Sequence, residues 1–98
     1  MLYPDWDNPI TLFTGPFTGP LREGSIPKNG ILISYIGANS QLSIGRNGGS
    51  IQVARHFVGS LQYNHFVMNT VSVKKGDTWI WINGGGGALS NVILIPYK

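Results

Sequence analysis

A chain of 98 residues is long enough for one domain, because chains usually divide into separate domains only above roughly 250 residues. Hydrophobic residues make up 42% of the chain and charged residues only 11%, a combination that excludes an intrinsically disordered segment. The net charge of +3 arises from scattered cations that form no basic stripe, and this distribution argues against a nucleic-acid partner.

Cysteine is absent, so the sequence predicts neither a disulfide framework nor a zinc site of the cysteine kind. A domain this small needs another source of stability, and oligomerisation is the obvious one. No apolar run approaches the roughly 20 residues of a membrane span, and we expect no membrane insertion.

Residues 1–24 are predicted to form an extended arm rich in proline and glycine. Proline removes a backbone donor and restricts the residue before it to extended conformations. The arm contains Pro4, Pro9, Pro16 and Pro20. The unit Phe-Thr-Gly-Pro occurs twice in succession, at residues 13–16 and 17–20. Two interpretations stay open: the arm packs its phenylalanines on a neighbouring subunit, or the repeat forms a local pair of turns.

Residues 25–98 are predicted to form an all-β domain, an antiparallel sandwich or barrel. Apolar residues recur with period two in short segments, separated by turns about every eight to twelve residues. Segment 79–82 is the clearest, with its two tryptophans on one face and its two isoleucines on the other. The Asn47-Gly48 pair marks a tight hairpin. We expect a break in the strand at residues 54–56 and a further strand over residues 61–66.

Three short motifs in this part of the chain resemble a known family. Residues 25–30 (Ser-Ile-Pro-Lys-Asn-Gly) open an apolar strand, residues 74–77 (Lys-Lys-Gly-Asp) form the turn before the next-to-last strand, and residues 95–98 (Ile-Pro-Tyr-Lys) end the final strand. In this order they are similar to the small C-terminal domains of bacteriophage tail fibres and tail needles. Those domains resemble the jelly rolls of tumour necrosis factor and of complement globular heads. The resemblance covers residues 25–98 and does not extend to the arm.

The resemblance implies a jelly-roll β-sandwich that assembles as a homotrimer. It also implies subunit contacts made by aromatic residues of edge and terminal strands, and the candidates here are Phe66, Trp79, Trp81 and Tyr97. The alternative is that these side chains fill the core of a single protomer, because apolar side chains on an alternating strand usually face inward.

The ionisable residues are too few and too scattered to predict an enzyme. Four carboxylates and two histidines are present, and no Gly-x-Ser-x-Gly nucleophile motif occurs. We therefore expect no catalysis, no cofactor and no metal site, with one open alternative, a metal between His56 and His65 near a trimer axis. Polar and aromatic loop residues on a rigid scaffold suit sugar or protein recognition. The candidate ligand-binding residues are Arg46, Asn47, Arg55, His56, Tyr63 and His65.

Three functions are consistent with this pattern. The first is a non-catalytic virion attachment module, the trimeric distal domain of a tail fibre or spike that binds a host cell-surface glycan or protein. The second is a monomeric carbohydrate-binding, lectin-like module of a bacterial protein, and the third is a structural cap of a fibre or capsid. Oligomeric state separates the first two, and ligand binding separates the first from the third.

Overall fold

The computed structural model describes residues 3–14, 21–37, 40–57, 66–83 and 91–98. These residues form eight β-strands and contain no helix, so no helix in the described ranges could cross a membrane. The strands are β1 (Ile10–Thr14), β2 (Leu21–Ser25), β3 (Gly30–Gly37), β4 (Ser40–Arg46), β5 (Ile51–Phe57), β6 (Phe66–Val73), β7 (Thr78–Asn83) and β8 (Asn91–Pro96).

The eight strands form two four-stranded antiparallel sheets packed as a sandwich. Sheet A has the strand order β1-β8-β3-β6, and sheet B has the order β2-β7-β4-β5. The first strand pairs with the eighth, the second with the seventh, the third with the sixth and the fourth with the fifth. This is the pairing of one long hairpin wrapped on itself, which defines an eight-stranded jelly roll. The all-β, jelly-roll-like prediction is confirmed.

Period-two alternation explains why these segments form half-buried strands. In β4 the side chains of Leu42 and Ile44 are buried, whereas the residues between and beside them are only partly covered. Their register partners on β7 are Trp81 and Trp79, so four large apolar side chains meet on the inner face of sheet B. A one-residue shift of either strand would turn this set toward solvent, and the register is therefore strongly specified.

The core between the sheets is centred on three aromatic rings. The ring of Phe13 lies 4.6 Å from that of Trp81 and 6.4 Å from that of Trp79, measured between centroids. Trp79 is 6% exposed and Trp81 is 1% exposed. Both tryptophans were candidates for subunit contacts, and the structure places them inside the protomer. Side chains this deeply buried have almost no surface left to contact a neighbouring subunit.

The N-terminal segment is part of the sandwich. β1 pairs with β8 in sheet A, and β2 pairs with β7 in sheet B. Phe13, from the first Phe-Thr-Gly-Pro unit, packs in the core of its own chain. The described part of residues 1–24 therefore contributes strands to both sheets and does not form an arm that precedes the domain. The second copy of the repeat lies outside the described residues.

Two expectations about strand limits differ from the structure. β5 runs without a break through residues 54–56, and its irregularity is a bulge one residue earlier. Ile44 opposes Ala54 while Gly45 opposes Gln52, so Val53 is the extra residue. A bulge adds one residue to one strand and keeps the strand paired on either side. The extra residue shifts the alternation of apolar residues by one position, which the sequence pattern suggested was a break. The strand expected over residues 61–66 falls outside the described residues except at Phe66, where β6 begins.

Candidate functional site at one end of the sandwich

One end of the sandwich contains three connections and both terminal segments. The connections are β2–β3 (residues 26–29), β4–β5 (residues 47–50) and β6–β7 (residues 74–77). Antiparallel order places them side by side, together with residues 3–9 and residues 97–98. The connections at the opposite end of the sandwich lie outside the described residues.

The β6–β7 connection is a compact turn closed by its own aspartate. The backbone amide of Asp77 donates to the carbonyl of Lys74 at 3.0 Å, and the Asp77 carboxylate accepts from the Lys74 amide at 2.9 Å. Gly76 has a φ of 91°, a conformation that residues with a Cβ rarely adopt. The turn predicted at residues 74–77 before the next-to-last strand is confirmed.

The β2–β3 connection is held against this turn by three hydrogen bonds. Ile26 donates its amide to Asp77 O at 2.7 Å and accepts from the Gly76 amide at 2.9 Å. The Lys75 amide donates to Asn29 Oδ1 at 2.7 Å. Ile26 is only 1% exposed, so its two bonds satisfy backbone groups that water cannot easily reach. The two connections therefore form one hydrogen-bonded unit.

The β4–β5 hairpin is tied to the same unit by an ion pair. Arg46 donates from Nε to Asp77 Oδ1 and from Nη2 to Asp77 Oδ2, both at 2.8 Å. The hydrogen bond from Arg46 lowers the pKa of Asp77, and the Lys74 amide contributes in the same direction against the opposing effect of burial. Asp77 is 2% exposed, and its carboxylate stays ionised because two donors surround it.

The hairpin itself turns through residues 47–50, of which Asn47, Gly48 and Gly49 have φ values of 55°, 70° and 94°. Positive φ at these positions favours asparagine and glycine, which is why an Asn-Gly pair marks the hairpin. The amide of Gly49 closes the turn on Arg46 O at 3.2 Å. The predicted hairpin is confirmed, and it leaves the Asn47 side chain exposed beside the β6–β7 turn.

All four lysines of the chain lie at this end: Lys28, Lys74, Lys75 and Lys98. We call this group the lysine end. All four are exposed, and none of their ammonium groups forms an ion pair with a carboxylate of the described residues. They line two adjoining depressions, of about 460 Å³ and about 430 Å³, and Lys75 belongs to both.

The predicted ligand-binding residues do not form one cluster in the described part of the chain. Arg46 and Asn47 lie at the lysine end, but the guanidinium of Arg46 is engaged by Asp77. Arg55 lies four residues along β5 from Ile51, about 13 Å away at the rise of a strand, and donates to Gln41 Oε1 at 3.1 Å. His56 follows Arg55 on β5, where the structure describes its backbone alone.

The other predicted ligand-binding residues, Tyr63 and His65, lie outside the described residues. Of the remaining subunit-contact candidates, Phe66 begins β6 with only its backbone described, and Tyr97 is half-buried in the larger depression. No group of three or more metal-ligating side chains occurs among the described residues.

Sequence reasoning missed the lysine end, although the signal was present. Lys28 follows β2, the pair Lys74-Lys75 follows β6, and Lys98 follows β8. Strands of even number run in the same direction in this fold, so residues that follow them meet at one end.

Comparison with protein-family models, curated protein sequences and solved structures finds no match to this chain.

Proposed function

We propose that this chain is a non-catalytic attachment module, the trimeric distal domain of a bacteriophage tail fibre or needle that binds the host surface. The observation that carries the proposal is the outer face of sheet A, which has no charged residue and carries a row of apolar side chains. The viral setting is supported by the motifs at residues 25–30, 74–77 and 95–98, which resemble those of tail-fibre domains.

The four strands of sheet A contain no charged residue. The strands of sheet B carry all the charges that lie within strands. In β3 the residues that alternate with the buried set are Ile31, Ile33 and Tyr35, and they face away from the core. Ile93 on β8 pairs with Ile33, and Met68 on β6 pairs with Tyr35. Met68 is 65% exposed at the edge of the sheet, and Thr70 and Ser72 complete the uncharged outward row of β6.

The edge strand β6 lacks the features that usually prevent edge-to-edge association. It is eight residues long and contains neither a charged residue nor a proline. The other three edges are protected. β1 is short, follows Pro9 and has a register shift; β2 carries Arg22 and Glu23; and β5 carries Arg55 and a bulge. Within the described part of the chain the β6 edge has none of these protections, and it adjoins the uncharged face of sheet A.

A second copy of this chain is the partner that best suits this surface. Depletion of charge distinguishes the core of protein interfaces from ordinary surface. Four strands of up to eight residues present a footprint on the order of 500 Å². This footprint is of the same order as the accessible surface of about 800 Å² that each partner contributes to a standard interface. In a closed ring, the face of one copy meets the edge of the next, and each copy uses both surfaces.

A monomeric carbohydrate-binding module is the second candidate function. It is favoured by Tyr3 and Trp6, which are 59% and 61% exposed. Exposed aromatic faces bury apolar area at low entropic cost and suit a sugar ring. Oligomeric state separates this candidate from the attachment module, because a monomeric module does not need the uncharged face of sheet A.

The test is the mass of the purified chain by light scattering coupled to size exclusion, across a tenfold dilution. We expect a stable mass near three times 10.6 kDa. Met68→Lys should give the monomer, because it places a charge where the outer face of sheet A meets the β6 edge. Ile51→Lys is the matched control, since Ile51 is 50% exposed at the start of β5 in sheet B. A wild-type chain that is monomeric at every concentration contradicts the proposal and favours the carbohydrate-binding module.

A second measurement separates attachment from a structural cap. The fluorescently labelled chain is incubated with intact Gram-negative and Gram-positive cells, and the bound fraction is measured. The trimer should bind, and the Met68→Lys monomer should bind more weakly because avidity is lost. A trimer that binds no cell type points to the structural cap.

A further inference from the structure

The lysine end is positioned by the backbone. Asn29 accepts from the Lys75 amide through its side chain and from the Tyr97 amide through its backbone carbonyl, at 2.7 Å and 3.0 Å. The Lys98 amide donates to Tyr3 O at 2.9 Å. Three chain segments that carry lysines are thus held together at their backbones while the side chains stay exposed. Because the backbone that carries these lysines is already ordered, little backbone conformational entropy is lost when they bind a ligand together.

The lysine end keeps a net positive charge, because its four lysines and Arg46 outnumber its three aspartates, Asp5, Asp7 and Asp77. Asp77 is the acidic side chain in the lining of the smaller depression, and Arg46 neutralises it through two hydrogen bonds. No acidic side chain lines the larger depression among the described residues. Asp5 and Asp7 belong to the N-terminal segment and line neither depression, and Asp5 Oδ2 accepts from Asn8 at 2.9 Å.

One aromatic side chain, that of Tyr97, lines the larger depression. Tyr3 and Trp6 lie in the segment that runs beside Tyr97, since Pro4 pairs with Tyr97 and the Asp5 amide donates to Pro96 O at 2.7 Å. Ammonium groups beside aromatic faces are suited to a ligand that carries both anionic groups and rings.

We propose that the lysine end binds a glycan that carries phosphate or sulfate groups. The lysine ammonium groups contact the anionic groups, and Tyr97, which lines the larger depression, stacks on a sugar ring. A glycan suits two adjoining depressions better than a nucleic acid does, because the basic surface is confined to one end and follows no groove. The inference rests on the proposed attachment function, for which it names the class of ligand.

The experiment measures binding of the wild-type chain to three dextrans of equal length: phosphorylated, sulfated and unmodified. Titrations are repeated between about 50 and 300 mM sodium chloride, a range over which screening increases. We expect binding to the phosphorylated or the sulfated dextran that weakens with salt, and little binding to unmodified dextran. The two modified dextrans show which anion the site prefers.

Single variants assign the binding to the lysine end. Lys28→Gln and Lys75→Gln should each weaken binding about two- to fivefold and reduce the salt dependence, because each removes one exposed charge contact. Arg22→Gln is the matched control: it removes the same charge from an exposed position in β2, about 10 Å or more along the strand from Ile26. Tyr97→Leu, which removes the ring and keeps an apolar side chain, should weaken binding at every salt concentration and leave the salt dependence unchanged.

Three results would overturn the proposal. No binding to either modified dextran at the lowest salt overturns it outright. An equal loss in Arg22→Gln and Lys75→Gln shows that net charge, and not the lysine end, governs the interaction. Tighter binding to a single-stranded oligonucleotide of the same charge than to either modified dextran assigns the surface to nucleic acid.

These outcomes are separate from those that test the attachment function. A trimer that binds cells but neither modified dextran retains the proposed function and loses the proposed ligand class. A monomer that binds phosphorylated dextran through Lys75 retains the site and loses the trimeric attachment module.

Discussion

Arg46 and Asp77, 31 positions apart, form a two-point ion pair that joins two turns of the sandwich. Both hydrogen bonds are 2.8 Å long, and the carboxylate also accepts from the Lys74 amide. The carboxylate is 2% exposed, whereas the Arg46 side chain is 32% exposed. The aspartate therefore depends on its partners more than the arginine does, because a buried charge without donors is costly and an exposed one is hydrated.

Asp77→Asn should lower the free energy of unfolding by about 1–3 kcal/mol, because it removes the charge from the hydrogen bonds with Arg46. The measurement is urea unfolding at pH 7 and one protein concentration, followed by tryptophan fluorescence. Asp7→Asn is the control, since Asp7 is exposed, and it should change stability by no more than about 0.5 kcal/mol. Equal effects of the two variants would show that the ion pair contributes nothing.

Stability should fall with acid in a way that depends on Asp77. The pKa of Asp77 is lowered in the folded state, so below the ordinary aspartate value near 3.9 the unfolded chain binds a proton that the folded chain does not. The contribution is complete above about pH 5, begins to fall near pH 4 and disappears as the pH drops through the folded-state pKa.

The check on this pH dependence is the urea midpoint measured from about pH 2 to pH 7 for wild type and Asp77→Asn. The difference between the two proteins should be constant above about pH 5 and shrink toward lower pH. A difference that stays constant down to pH 2 would show that another group causes the acid sensitivity.

Gly30→Ala should destabilise the protein more than Gly48→Ala. A Cβ at Gly30 would overlap the carbonyl oxygen of Ile95 and lie 2.9 Å from the Cα of Pro96, so the backbones of β3 and β8 must separate. A Cβ at Gly48 meets nothing within 4 Å, and its cost is only that of a φ of 70°. We expect losses of about 2–3 kcal/mol and about 1 kcal/mol in urea unfolding. The reverse order would contradict the close approach of the two strands.

Phe13→Ala should cost about 3–5 kcal/mol, because the ring is 8% exposed and packs against Trp79 and Trp81. Trp6→Ala removes a larger side chain from the same N-terminal segment, but Trp6 is 61% exposed and the change should stay within about 0.5 kcal/mol. Thermal unfolding of both variants measures the contrast. If Phe13→Ala were as mild as Trp6→Ala, β1 would not belong to the core.

The strands that could be predicted are those whose signal is local. The apolar alternation of β3, β4, β7 and β8 can be recognised within a few residues of sequence. The turn residues Asn47, Gly48 and Gly76 adopt positive φ values, which asparagine and glycine tolerate better than other residues do. β1 and β2 could not be assigned, because prolines and glycines around them suggested an arm. Their membership in the sandwich comes from partners about 80 and 60 positions away in the sequence, β8 and β7.

The features of the fold and of the candidate site also divide into those that the sequence predicts and those that depend on strand pairing. The sequence by itself determined an all-β fold, the turn at residues 74–77 and the common face of the two tryptophans, since each follows from backbone sterics or from the period of a strand. That this face turns into the core of the protomer was decided by the structure. Only the tertiary structure decided that Arg46 pairs with Asp77, that four lysines share one end, and that the charges within strands lie on sheet B. Those features depend on which strands pair, and strand pairing is settled by the burial of whole faces over the full length of the chain.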